Sequence, residues 1–232
     1  PGVISGLRIC KMLLKQHSIN FTTEYEDGDT IVSPLIFSLE GKSHDILATE
    51  RLLLNILSHL SGISTHTNKI VRIAKKVNPN VEILATRKTL PGLRDIEKRA
   101  VVHGGGATHR MRLDDAILIK DNHLKLSKNI KKSIEISRSK YPNLMVEVEA
   151  DNEQQAIEIA KNGADRVMLD NFSPDEATAT IRKLRQISDI EIEISGGVTI
   201  ENIASYAKKA DFISLGSLTM SSLPVDFSLH VL

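Results

Sequence analysis

The stretch MVEVEADNEQQAIEIAKNGADRVMLDNFSPDEATATIRKLRQISDIEIEISGGV, Met145 to Val198, decides the fold. Three short β-branched runs stand out in it: Met145-Val146-Glu147-Val148, Arg166-Val167-Met168-Leu169 and Ile190-Glu191-Ile192-Glu193-Ile194. Between them, Glu153 to Asn162 and Pro174 to Ile187 carry apolar residues at helical spacing. A strand signal, a polar or glycine-containing turn and an amphipathic stretch, repeated, imply βαβ crossovers and a parallel sheet. The pattern continues outward, with Val81-Glu82-Ile83-Leu84 and Ala116-Ile117-Leu118-Ile119 before it. A helical period from Ile200 to Lys209 and the run Phe212-Ile213-Ser214-Leu215 follow it. Six or more such units favour a (β/α) barrel, although periodicity alone also permits an open sheet.

The first fifty residues follow a different rule. Ile4 to His17 reads as a helix, and Ile19 to Tyr25 and Ile31 to Leu39 read as strands around the turn Glu26-Asp27-Gly28-Asp29. This is an α+β fragment, expected to belong to a small domain beside the barrel. A helix is then predicted from about Asp45 through Leu60, with Leu52, Leu53, Ile56, Leu57 and Leu60 at core spacing. The expected division is 1–50 for the small domain, 51–219 for the barrel and 220–232 for a segment returning to the small domain.

Composition narrows the function classes. Lysine and arginine number 30 against 29 acidic residues, a formal charge of +1, so no global basic field marks a nucleic-acid binder. Any positive patch must be local. The single cysteine, Cys10, can form no internal disulfide and no cysteine-rich zinc site, which suits a reducing, cytoplasmic setting. A buried structural thiol is favoured over a reactive one. No apolar run reaches membrane-spanning length, so no membrane partner is expected. The start, Pro1-Gly2-Val3-Ile4-Ser5-Gly6, lacks a methionine and a targeting pattern and reads as cut.

Barrels of this type place catalytic groups at the carboxyl ends of their strands. Reading each run to its end gives Arg87-Lys88, Lys120-Asp121, Glu147 and Glu149, Asp170-Asn171, Ser195-Gly196-Gly197 and Gly216-Ser217. Each has a plainer alternative. Arg87 and Lys88 could be solvated surface charges. Glu147 and Glu149 lie two apart on a strand and share a face; inside a barrel they must be paired, protonated or cation-bound. Asp170 could simply cap the helix that begins near Ser173-Pro174-Asp175. The glycines of Ser195-Gly196-Gly197 and Gly216-Ser217 could serve tight turns, but backbone N–H groups after the last two strands also suit a phosphate. In Val102-His103-Gly104-Gly105-Gly106-Ala107-Thr108-His109-Arg110, three glycines permit a sharp bend or a close approach to a ligand, or merely a flexible loop. The sum is a cationic pocket facing a carboxylate pair with two phosphate-type turns, suited to a multiply anionic substrate and a metal-bound phosphate ester.

These residues resemble a known family. Ala85-Thr86-Arg87-Lys88-Thr89-Leu90-Pro91-Gly92-Leu93-Arg94 is similar to the TRKT-x-PGLR signature of the quinolinate phosphoribosyltransferases. GGG-x-x-HR (Gly104 to Arg110), LIKDNH (Leu118 to His123), VEVE (Val146 to Glu149), MLDNFSP (Met168 to Pro174), SGGV (Ser195 to Val198) and ISLGSLT (Ile213 to Thr219) follow in the family's order. One departure is Ala85, where the family usually has aspartate; the family's first several dozen residues also have no counterpart here. The resemblance implies a type II phosphoribosyltransferase: an open, incomplete α/β barrel with a small α/β sandwich domain, N-terminally shortened. It implies a homodimer or an assembly of dimers that joins quinolinate to phosphoribosyl pyrophosphate with Mg²⁺, releasing pyrophosphate and CO₂.

By the same resemblance, Arg87, Lys88, His109, Arg110 and Lys120 bind the quinolinate carboxylates and part of the phosphates, and Lys120 is also catalytic. Arg51, in Ala48-Thr49-Glu50-Arg51, matches an arginine that reaches the neighbouring subunit's site. Glu149 and Asp170 match carboxylates near the ribose and Mg²⁺, and Ser195, Gly196, Gly197, Gly216 and Ser217 match the phosphate cradle. Two alternatives stand beside this reading. A nicotinate phosphoribosyltransferase shares the barrel but takes a monocarboxylate, against which the cluster of cations argues. A non-enzymatic relative associated with molybdate transport departs at the segment where this chain has Lys120-Asp121-Asn122-His123.

Overall fold

A computed structural model describes residues 2–127 and 129–231. The chain divides into two compact units interleaved in sequence: Pro1–Val71, Lys88–Thr108 and Gly216–Leu232 form the first, Arg72–Arg87 and His109–Leu215 the second.

In the first unit, α1 (Leu7–Gln16) is shorter than the predicted helix because Gly6, at φ 104, cannot continue a right-handed helix backward. A two-stranded antiparallel sheet joins β1 (Asn20–Thr22) and β2 (Ser38–Glu40), with Phe21 opposite Leu39. The predicted strand over Ile31 to Leu39 is reduced to its end. Pro34 supplies no N–H, and the amides of Val32 and Ser33 donate to the Tyr25 hydroxyl instead, at 3.1 and 2.8 Å.

The long helix α2 (Ser43–Val77) overruns its predicted end by several turns. Its Ser61, Ser64 and Thr65 look like a helix stop, yet they have partners elsewhere in the unit. Ser61 Oγ accepts the amide of Ser5 (3.0 Å), Thr65 Oγ1 accepts that of Val3 (2.9 Å), and Ser64 donates to the Val3 carbonyl (2.7 Å). A Cβ on Gly62 would collide with the Leu223 carbonyl, so the helix carries a glycine where the C-terminal backbone passes. The unit is completed by α3 (Arg94–His103), β4 (Ala107–Thr108) and α9 (Ser217–Met220). Its apolar core gathers Ile4, Leu7, Cys10, Leu14, Ile19, Ile36, Leu53 and Leu57.

The second unit is the predicted parallel sheet. It contains β3 (Glu82–Ala85), β5 (Ile117–Ile119), β6 (Val146–Ala150), β7 (Arg166–Asp170), β8 (Glu191–Ser195) and β9 (Phe212–Leu215). They lie in the order β3-β9-β8-β7-β6-β5, all parallel, with helices α4 (Asp121–Ser127), α5 (Ile130–Lys140), α6 (Glu153–Lys161), α7 (Pro174–Ile187) and α8 (Ile203–Ala207) in the connections. This is the α/β barrel architecture that the repeating pattern favoured, left open as the family resemblance implied.

Register explains the alternation inside the strands. Glu147 pairs with Arg166 and Arg166 with Glu191; Glu149 pairs with Met168 and Met168 with Glu193; Asp170 pairs with Ser195. Residues in register share a face, so the charged positions line one side of the sheet. Val146, Val148, Val167, Leu169, Ile192 and Ile194 fill the other and are buried. Parallel sheets are covered on both faces, and the charged face is covered too: Glu147 and Glu193 are fully buried.

Candidate active site

At the carboxyl end of β5, Lys120 extends its ammonium to Glu149 of β6 at 2.9 Å. The carboxylate is nearly buried while the lysine is half exposed, so the pair sits at the rim of the sheet's interior. Burial, and then the charges of Asp170 and Asp121, raise the Glu149 pKa against the opposing pull of Lys120. A carboxylate crowded in this way favours a second cation nearby. Asp170 ends β7, and Asn171 Nδ2 donates to its Oδ2 at 2.7 Å. Asp170 is not the helix cap: Ser173 caps α7 in a reciprocal pairing with Glu176. That removes the plainer alternative for the aspartate and leaves its carboxylate at the strand end beside Glu149.

Ser195-Gly196-Gly197 closes β8 with both glycines at positive φ, 79 and 63. A side chain on Gly196 would meet the Asn171 side-chain oxygen, and Asn171 itself adopts φ 58 while its amide donates to the Ser195 carbonyl at 2.9 Å. The strand-end turns of β7 and β8 are therefore locked together, an arrangement affordable only with glycine in one of them.

Beneath this rim lies a buried ionic cluster. His109 Nε2 lies 2.8 Å from Glu147 Oε2 and 3.3 Å from Glu193 Oε2, and Arg166 reaches Glu193 at 3.3 Å and Glu191 at 2.8 Å. The Arg166 guanidinium also stacks over the Phe212 ring at 3.7 Å. Burial opposes a charge on His109, but the hydrogen bonds and charges of Glu147 and Glu193 outweigh it and push its pKa up to about 9. A second ring proton would need Nδ1, and Nδ1 already accepts the Arg110 backbone N–H at 2.8 Å. Nδ1 is therefore held as an acceptor, and the ring keeps its single proton on Nε2 even though the carboxylates favour a second. Burial raises the Glu147 pKa, whereas His109 and Arg166 hold Glu193 low. Arg110 follows directly in the chain; burial, and then the positive charge of Arg87, lower its pKa.

Of the predicted residues, the second unit thus holds Arg87, His109, Arg110, Lys120, Glu149, Asp170, Ser195, Gly196 and Gly197. The imidazole of His109 is almost wholly buried, so it faces the carboxylates rather than solvent. Lys88, Gly216, Ser217 and Arg51 fall in the first unit. There Thr219 donates to the Lys88 carbonyl at 2.5 Å, and the Lys88 side chain lies so close to Gly216 that a Cβ there would approach its Cδ to 2.9 Å. The Arg51 side chain is 83% exposed, with Glu50 at 3.9 Å. Sequence reasoning missed Glu193 and Arg166, and named Asn171 without the turn it locks. The signal for Glu193 was available: in a strand covered on both faces, its alternation with isoleucine places a carboxylate inside.

The second unit is an open parallel α/β barrel with cations, carboxylates and a glycine turn at its strand ends. Comparison with known proteins carries this to a family. Residues 1–61 match the N-terminal domain, and residues 63–230 the C-terminal domain, of Quinolinate phosphoribosyl transferase. The chain is 42% identical to a probable nicotinate-nucleotide pyrophosphorylase [carboxylating] of Archaeoglobus fulgidus, over 100% of this chain and 91% of that protein. It is 34% identical to the human nicotinate-nucleotide pyrophosphorylase [carboxylating], over 100% of this chain and 79% of that one. The NadC structure from Streptococcus pyogenes superposes with a TM-score of 0.91 at 36% identity, covering 98% of this chain and 81% of its own. Human nicotinic acid phosphoribosyltransferase shares the fold (TM-score 0.66) at 12% identity, over 92% of this chain and 65% of its own. The chain belongs to the quinolinate phosphoribosyltransferase family.

Proposed function

We propose that this chain converts quinolinate and phosphoribosyl pyrophosphate to nicotinate mononucleotide, CO₂ and pyrophosphate, a step of NAD biosynthesis. The observation that carries the chemistry is the Lys120–Glu149 pair at the strand ends, with Asp170 close enough to raise the Glu149 pKa. Departure of pyrophosphate leaves positive charge on the ribose C1. Glu149 and Asp170 stabilise that charge electrostatically, in a site where burial strengthens the interaction. The pyridine nitrogen bonds to C1 as pyrophosphate leaves and becomes cationic. The bond from ring C2 to its carboxylate then breaks, CO₂ departs, and the electron pair left on C2, stabilised by the adjacent cationic nitrogen, takes a proton from solvent. Within the second unit Arg87, Arg110 and Lys120 supply cations for the substrate carboxylates, and the Ser195-Gly196-Gly197 turn supplies backbone donors for phosphate. The family resemblance gives Lys88 and the Gly216-Ser217 turn the same kinds of role. His109 supports this set from inside the sheet.

Mg²⁺ fits the donor set: hard oxygen ligands from Glu149 and Asp170, with the Glu149 pKa raised by burial and then by the like charge of Asp170. Its chemistry would be to neutralise the leaving pyrophosphate. Arg51, exposed on α2, would complete a second copy's site in a homodimer or an assembly of dimers. No helix among the described residues is long and apolar enough to cross a membrane, and we assign the protein to the cytoplasm.

The test is to incubate the protein with quinolinate, phosphoribosyl pyrophosphate and Mg²⁺ and follow CO₂ and mononucleotide by mass spectrometry, with nicotinate in parallel. Stoichiometric CO₂ and mononucleotide from quinolinate are expected. Turnover of nicotinate in its place would overturn the dicarboxylate assignment.

A further inference from the structure

Two carboxylates and an arginine buried in the sheet interior need an explanation. Glu147 Oε1 and Glu193 Oε1 are both buried without a well-formed hydrogen bond among the described residues, although the Ser214 hydroxyl lies near enough to help hold Glu193 low. An unsatisfied buried acceptor is costly, and a buried ion pair is seldom more stable than an apolar pair of the same shape. Stability alone therefore does not account for this choice of residues.

Arg166 holds Glu193 at 3.3 Å; Glu147 accepts from Nε2 of His109 at 2.8 Å while Glu193 lies 3.3 Å from the same nitrogen; Nδ1 of the ring accepts the backbone N–H of Arg110. Glu147 accepts the Nε2 hydrogen bond at 2.8 Å, and the Glu193 carboxylate 3.3 Å from the same nitrogen adds its charge, so the ring resists rotation more than one carboxylate would make it. The opposite nitrogen then fixes the peptide from which the Arg110 side chain departs. We propose that Glu193, with Glu147, is a positioning residue for substrate binding: it locks the His109 ring, and through Nδ1 the ring aims Arg110 at the dicarboxylate. This rests on the reading that the chain binds quinolinate, and it gives His109 an indirect role in that binding.

His109, Glu147 and Glu193 also have the composition of a metal site, since their ligating atoms all lie within 4.8 Å of one another. The Arg110 amide argues against that use. It keeps the ring proton on Nε2, where a metal would have to bind, and Arg166 already supplies the positive charge.

Glu193→Gln keeps the shape and an acceptor oxygen but removes the charge that holds Arg166 and the ring. The expected result is a KM for quinolinate raised about tenfold, with the KM for phosphoribosyl pyrophosphate within about twofold and the folded state retained by circular dichroism. A purely structural role would move both KM values together or neither, and either result overturns the proposal. A second arm needs no variant. Nitrogen-15 NMR of the wild-type histidine rings at neutral pH should show His109 with Nε2 protonated and Nδ1 bare; a proton on Nδ1 overturns the proposal even if Glu193→Gln fails to fold. Should the wild type not turn over quinolinate at all, the functional reading fails, while the ring spectrum still decides the contact.

Discussion

The two units bury their interiors by opposite means. In the first, Ile4, Leu7, Leu14, Leu53 and Leu57 pack apolar surface and need only complementary shape. In the second, the helix-facing side of the sheet is equally apolar, but the other side buries Glu147, Glu193 and Arg166. Apolar burial returns roughly 25 cal/mol per Å² without conditions. Buried charge returns little, and only while every partner is in place. The contrast teaches that burial does not identify a core: one interior makes the protein stable, the other positions chemical groups at some cost in stability.

Substitutions can break this contrast. The largest effect is expected from Lys120→Ala, which should lower turnover by about 100- to 1,000-fold, as loss of an electrostatic stabiliser does. Its melting temperature should fall only modestly, because Glu149, nearly buried but at the rim with its pKa already raised, can take up a proton once its partner is gone. Steady-state kinetics beside thermal melts would show both; a large drop in melting temperature would make Lys120 structural. Arg166→Met should cost about 3–5 kcal/mol in a urea titration, since it strands Glu193. A neutral result would mean that the interior tolerates an unpaired carboxylate. Leu57→Ala, in the apolar core, should cost about 3 kcal/mol and leave quinolinate turnover per folded molecule unchanged.

Smaller effects sharpen the comparison. Ser173→Ala removes the α7 capping box at the site's edge and should cost about 1 kcal/mol of stability, read by the same titration. The Cys10 thiol is pushed up to about 12, by burial and then by the charge of Asp27, from a value of 9.0. A folded-state pKa above the unfolded one means that the unfolded chain loses its proton first, so this thiol lowers stability as pH rises through 9. Compared with Cys10→Ala, the wild type should lose about 0.4 kcal/mol more between pH 7 and pH 9. An equal loss in the two proteins would mean that the thiol is exposed to solvent.

Much of this was legible in the residues. β9 and α7 match their predicted ranges, and the other parallel strands lie within a residue or two of theirs, because β-branched runs and helical periods are local signals. Glu147 and Glu149 share an interior face, as the period of two requires. The length of α2 was not legible. Ser61-Gly62 reads as a stop unless one knows that the backbones of Ser5 and Leu223 come against it, and those contacts join distant parts of the chain. The Ile31 to Leu39 strand failed for a similar reason, since the Tyr25 hydroxyl took the amides that a neighbouring strand would have needed. The positive φ of Asn171 was equally hidden, because it answers to Gly196 across the sheet and not to its own neighbours.

The interleaving of the units also has a consequence for synthesis. The first unit contains the chain's beginning and its last stretch, Gly216–Leu232, and Val225 donates its amide to the Ser58 carbonyl of α2. A nascent chain leaving the ribosome therefore exposes the leucines of α1 and α2 long before their final neighbours exist. The strands from Arg166 to Leu215 emerge as one uninterrupted run and can pair as they appear. Among these residues α1 and α2 are made well before the stretch that completes their unit, and during that interval they depend most on protection from aggregation.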